Sequence, residues 1–186
     1  MKRTSKVDKK HETINSETHS ISEKDAIEFV MKRFQDVKNS NKIENLVSFQ
    51  AMNKYMVMAH NQHELKILGN IVASNKKNQF QKIVKEFEVH LKKALESEPT
   101  IKKHSNVLLH IFGYFSNNFN QQEKEWFFNL LGEFKEESIT IGEILSEINS
   151  VIYRFNNTYL AGQTYFLLYS NLNSGNLFKR LSKERY

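Results

Sequence analysis

One proline and six glycines are all that interrupt 186 residues. A chain with so few breakers lacks the tight-turn chemistry that sheets need, whereas long runs of mixed polar and apolar residues suit helices. Apolar residues recur three and four apart along most of the chain, the spacing of one helical face. In "SISEKDAIEFVMKRFQDVK", Ile27, Val30, Met31, Phe34 and Val37 share a face, and Ser22 with Asp25 reads as an N-cap followed by an acidic first turn. A second helix is expected from about Ile43 to His60, with Leu46, Phe49, Met52, Met56 and Ala59 as its stripe. "NQHELKILGNIVAS" continues the pattern, with Gly69 read as a close helix crossing. In "FQKIVKEFEVHLKKALES", Phe80, Ile83, Val84, Phe87 and Leu91 face inward. Pro99 and Thr100 mark the start of a helix to about Asn117. Asn120 and Thr140 read as caps of the next two, "NNTYLAGQTYFLLY" as a shorter one, and "NLFKRLSKERY" as a basic terminal helix or tail.

These elements predict an all-α fold, one single-domain bundle of about seven to nine helices over residues 22–186, preceded by a disordered basic tail over 1–21. No run approaches the roughly 18 apolar residues of a membrane span. The N-terminal residues lack the apolar core of a signal peptide, so a cytosolic protein with no membrane partner is expected.

Composition excludes several chemistries. With no cysteine there is no thiol nucleophile, disulfide, or cysteine-held zinc or iron–sulfur cluster. Glycine-rich phosphate loops, dinucleotide fingerprints and the nucleophile-elbow pattern are absent as well, so no cofactor is expected. Most carboxylates stand three or four residues from a lysine, the pattern of solvated ion pairs. The formal net charge of +6 suits a polyanionic partner such as RNA.

Three polar constellations remain. In "KHSNVLLHIFGYF", Lys103, Asn106, His110 and Gly113 fall on one stripe of the helical wheel and His104 on another, so the two histidines point different ways and cannot share a metal. The first stripe reads either as a buried interhelical hydrogen-bond seam or as a groove for a nucleotide, with Gly113 allowing close approach. In "NKYMVMAHNQH", Asn53 and His60 share a helical face, and Lys54 and Tyr55 could hold a phosphate and stack a base. In "YLAGQTY", Tyr159 and Gln163 stand four apart and face together. His60, His104 and His110 are the candidate acid–base groups of an enzyme reading.

In their order and spacing these blocks, with "EKEWFFNLLGEFKEESITIGEILSEI" between them, resemble the YbgA-like family, a bacterial domain of unknown function. The resemblance covers about Leu46 to Leu181. It implies an all-helical fold, found alone or fused to a thiouracil-desulfurase-like domain that works on thiolated uracil or thiouridine in tRNA. It therefore implies an RNA-binding or substrate-presenting accessory role, with tRNA and a separate desulfurase-like protein as partners. Lys54, Tyr55, His60, Gly69, His104, Asn106, His110, Gly113, Tyr114, Tyr159, Gln163 and Tyr165 match the family pattern. Asn53 stands where the family usually has histidine, and "LLYSNLNSG" replaces its proline-rich segment. The alternatives are a structural or protein-interaction domain, or a small-molecule enzyme using histidine.

Overall fold

The computed structural model describes residues 21–74 and 79–170. Among them it contains ten helices and no strand: α1 Glu23–Ser40, α2 Ile43–Met52, α3 Lys54–His60, α4 Gln62–Ala73, α5 Phe80–Leu95, α6 Ile101–Phe112, α7 Gln121–Lys135, α8 Ile141–Arg154, α9 Thr158–Ala161 and α10 Thr164–Tyr169. The tail expected before Ile21 and the basic terminal helix lie outside the described residues.

Local chemistry explains most boundaries. The Ser22 hydroxyl accepts from the Asp25 N–H and starts α1, and Asn41 ends it in the left-handed region at φ 51°. Asn120 and Thr140 each close a capping box, with Glu123 and Glu143 reaching back to the cap N–H. Thr100, after Pro99, accepts from the Lys103 N–H at the start of α6.

Two expected helices are each broken in two, which takes the number above the expected range. At Asn53 both the backbone N–H and the side-chain amide donate to the Phe49 carbonyl, at 3.0 and 2.8 Å, and close off α2. The Gln163 amide then straps the junction. Its Nε2 donates to the Ala51 carbonyl at 2.9 Å and its Oε1 accepts from the Tyr55 N–H at 3.5 Å. The second break lies at Gly162 and Gln163, between α9 and α10.

α3 is the centre of the molecule. Of its seven residues only Lys54 is not buried, as expected for a helix apolar all round, and α2, α4, α5, α6 and α10 pack against it. Aromatic clusters join the surrounding helices. Phe34, Phe49 and Phe87 lie with ring centroids 5.4 to 6.1 Å apart and tie α1, α2 and α5. Phe112 stacks on Phe127 at 4.5 Å, tying α6 to α7, and Phe115 on Phe155 at 5.4 Å, tying the turn after α6 to the end of α8. Gly69 does not mark a tight crossing: the nearest atom to an added Cβ is the flexible Gln50 Nε2, at an ordinary 3.8 Å.

Candidate polar site along the third and sixth helices

α3 and α6 lie side by side and run in opposite directions, because residues at the end of α3 meet the start of α6 and Tyr55 meets Tyr114 beyond its end. Polar groups gather at both ends of this pair.

At the first end His60 is wholly buried. Its Nδ1 lies 2.7 Å from the Ser97 carbonyl oxygen, and its Nε2 lies 2.9 Å from Glu23 Oε1, off the line a hydrogen bond needs. The Tyr169 hydroxyl donates to the same carboxylate, 2.7 and 2.9 Å from its two oxygens. Burial pushes the Glu23 carboxyl up, but the close contact with His60 and the hydrogen bonds from Tyr169 outweigh it and hold the group below its usual value. Beside this chain His104 Nδ1 lies 2.7 Å from the Tyr165 hydroxyl, with the Tyr169 ring edge-on to the imidazole at 5.3 Å. Burial drops the His104 pKa to about 4, so the ring is neutral at pH 7. Burial likewise raises both tyrosine hydroxyls, so they stay protonated donors.

His60 lies between two clefts. One, of about 520 Å³, opens where the N-termini of α4 and α6 converge, and is lined by Gln62, Lys102, Lys103 and Asn106 among others. Asn106 donates to Gln62 at 3.1 Å across it, and the Lys103 ammonium donates to the Glu98 carbonyl at 2.7 Å. The other, of about 570 Å³, lies between α1 and the end of α5.

At the second end Lys54 Nζ stands 5.4 Å above the Tyr55 ring, and Tyr55 is a core residue with 1% exposure. Burial and the neighbouring Tyr114 raise its hydroxyl pKa. Tyr114 and Tyr159, both about two-fifths exposed, stack at 5.9 Å with 24° between their planes.

The seam expected along Lys103, Asn106, His110 and Gly113 is corrected by these positions. His110 and Gly113 are exposed, and Lys103 and Asn106 are half-buried, so the stripe faces solvent and runs on to Tyr114. An added Cβ at Gly113 meets only carbonyls of its own helix, so the close approach expected there is not present. The wheel places the two histidines on different faces, and the structure agrees: His104 is in the core and His110 is outside. Asn53 and His60 are both buried, but at opposite ends of α3. Gln163 is 1% exposed, with its amide committed to backbone.

Sequence reasoning misses Glu23 and Tyr169. Glu23 reads as an ordinary first-turn acid, and nothing local in "FLLY" marks a donor to it. The expectation of solvated carboxylates fails at Glu64, which is 1% exposed and takes Lys93 and His90, each at 2.7 Å. The Lys93 contact, opposed by burial and supported by His90, holds that carboxyl low.

A family model described as "Protein of unknown function (DUF1722)" matches residues 54–170, a span from α3 to just beyond α10. The chain is 26% identical over 127 residues to the "Uncharacterized protein YbgA" of Escherichia coli (strain K12), covering 67% of this chain and 74% of that protein. No solved structure matches.

Proposed function

The chain belongs to the DUF1722 family of proteins of unknown function, and we propose that it acts as an RNA-binding accessory module, with tRNA as its RNA. The reading is carried by the α6 stripe, where Lys103, Asn106, His110 and Tyr114 follow one another along a solvent-facing line. The Lys102 and Lys103 side chains stand at one end of that line and a stacked tyrosine pair at the other. Stacking platforms beside basic grooves hold single-stranded nucleic acid, because every base has a π-face and every linkage a charge. The α6 N-terminus adds its own positive field, and Lys102 and Lys103 stand in a first turn that holds no acid.

In this reading the chain works in the cytoplasm. It presents thiolated tRNA to a separate desulfurase-like protein, since a cysteine-free chain cannot hold an iron–sulfur cluster through thiolates. Among the described residues no helix is long and apolar enough to cross a membrane.

The test is binding to bulk tRNA across a salt series, comparing the wild type with the triple variant Lys102→Ala, Lys103→Ala, Tyr114→Ala, its helicity checked by circular dichroism. The three residues are half-buried or exposed, whereas replacing Tyr55 would open the core. Binding is expected to weaken linearly in log salt and to drop by at least tenfold in the variant. Absence of binding at low salt, or equal binding by the variant, sinks the reading.

A further inference from the structure

The cleft between α1 and the end of α5 takes no part in the RNA surface described above. Its volume is about 570 Å³. Ile27 and Met31, half-buried on α1, and Leu95, buried on α5, give it apolar walls. Its charged lining includes Lys24, Lys92, Glu96 and Glu98. Lys92 is bound to Glu88 at 2.9 Å. Glu96 and Glu98 are exposed, and among the described residues neither carboxylate has an ionic partner. Two uncompensated acids thus border an apolar trough, with Lys24 as the opposing cation.

The chain itself supplies a complementary occupant. The Tyr169 hydroxyl donates to Glu23 at 2.7 Å, and Glu23 lines the cleft. The chain therefore leaves α10 at Ser170 one tyrosine side chain away from the cleft wall. Residues 171–186 follow, "NLNSGNLFKRLSKERY", and lie outside the described residues. Leu177, Phe178 and Leu181 recur at the spacing of one helical face. Lys179, Arg180, Lys183 and Arg185 stand among them, with Glu184 as the opposing acid. Leu177 is seven residues beyond Ser170, a reach of up to about 23 Å. The segment before α1 fits less well, because its apolar residues, Met1, Val7 and Ile14, are isolated from one another.

We propose that the C-terminal segment of this same chain seats in the cleft, with Leu177, Phe178 and Leu181 against Ile27, Met31 and Leu95, and its basic side chains beside Glu96 and Glu98. The seat makes a strap from the end of α10 across α1 to α5. Apolar burial drives the contact, and the opposite charges favour one register over others. The strap forms whether or not the chain binds RNA.

The experiment uses the absence of cysteine: a pair introduced by mutation makes the only disulfide the chain can form within itself. Met31→Cys with Leu181→Cys in the full chain probes the seat, and Tyr153→Cys with Leu181→Cys is the control. Tyr153 is 77% exposed and stands one turn after Asn149, whose side chain donates to Ser170, so it too lies near the root of the segment. A segment without a seat meets the exposed control thiol at least as readily as the half-buried one at position 31. In a thiol–disulfide buffer at low protein concentration, the Met31 pair is expected to close about tenfold faster than the control, as monomer, because seating raises the local thiol concentration. Adding Leu177→Glu and Phe178→Glu should abolish that preference. Adding Glu96→Lys and Glu98→Lys should reduce it at low salt and less at high salt. Circular dichroism confirms that each variant keeps the wild-type helicity. Equal rates in the two pairs overturn the proposal, and so does a preference that survives the Leu177→Glu and Phe178→Glu changes. Disulfide-linked dimers also overturn it, since they assign the cleft to the segment of a second copy.

Discussion

His104 is 8% exposed, packed against the Tyr165 hydroxyl and the Tyr169 ring, with Glu23, His60, Lys103 and Phe134 around it. Its folded pKa of about 4 lies below the ordinary 6.5. Between those values the unfolded chain binds a proton that the native state refuses, so stability falls as pH drops through this window. The full effect is about 3 kcal/mol. Glu23 has a folded pKa below the usual 4.5. Its stabilising contribution is present above that value and is lost only at lower pH, so the two groups separate on the pH axis. Urea midpoints measured from pH 7 to 4.5 should decline steadily in the wild type. They should decline less than half as much in His104→Gln, whatever that variant's stability at pH 7. An unchanged decline would show that His104 is protonated in the native state.

At the scale of elements, the helices divide into those held by their own ends and those held by neighbours. α7 and α8 carry capping boxes and would be recognisable in isolation. α3 has no side-chain cap and only seven residues, too few to persist alone, and exists because five helices enclose it. Glycines inside helices are another local matter. Gly132 in α7 has nothing within 4 Å of an added Cβ, Gly69 in α4 has only an ordinary contact, and neither has a positive φ. Gly132→Ala and Gly69→Ala should each raise stability by about 0.5–1 kcal/mol, read from chemical denaturation, since alanine loses less backbone entropy on folding. A loss at Gly69 would mean that the crossing with Gln50 is tighter than it stands here.

Across the whole molecule, the contact between Tyr169 and Glu23 joins residues 146 apart in sequence and fastens α1 to α10 over the buried end of α3. The ionic contact between Lys38 and Glu88 at 2.8 Å fastens the other end of α1 to α5. Against this frame Lys103 is locally unfavourable. It occupies the third helical position after the Thr100 cap, where α7 and α8 have a glutamate that completes the box. Lys103→Glu should therefore gain about 0.5 kcal/mol of stability, less whatever the lost contact to the Glu98 carbonyl contributed. On the RNA reading the same change weakens tRNA binding and lowers the slope of log affinity against log salt by roughly one to two. Paired melting and binding curves for this variant check both signs. A gain in stability with no change in binding would assign the lysine no part in the surface.

By itself the sequence determines that the chain is helical, where most helices begin, which faces are apolar, and that thiol chemistry is excluded. Those properties rest on 3.6-residue periodicity, cap chemistry and composition, all of which act within a few positions along the chain. It also separates His104 from His110, because both ride one helix. Tertiary structure alone decides the break at Asn53, which depends on Gln163 more than a hundred residues away. It alone turns the Lys103–His110 stripe toward solvent, since a wheel gives relative and not absolute orientation. The Glu23–His60 pair belongs to the same class. Its members lie on α1 and α3, which only the packing of the helices brings together, and no local pattern carries that contact.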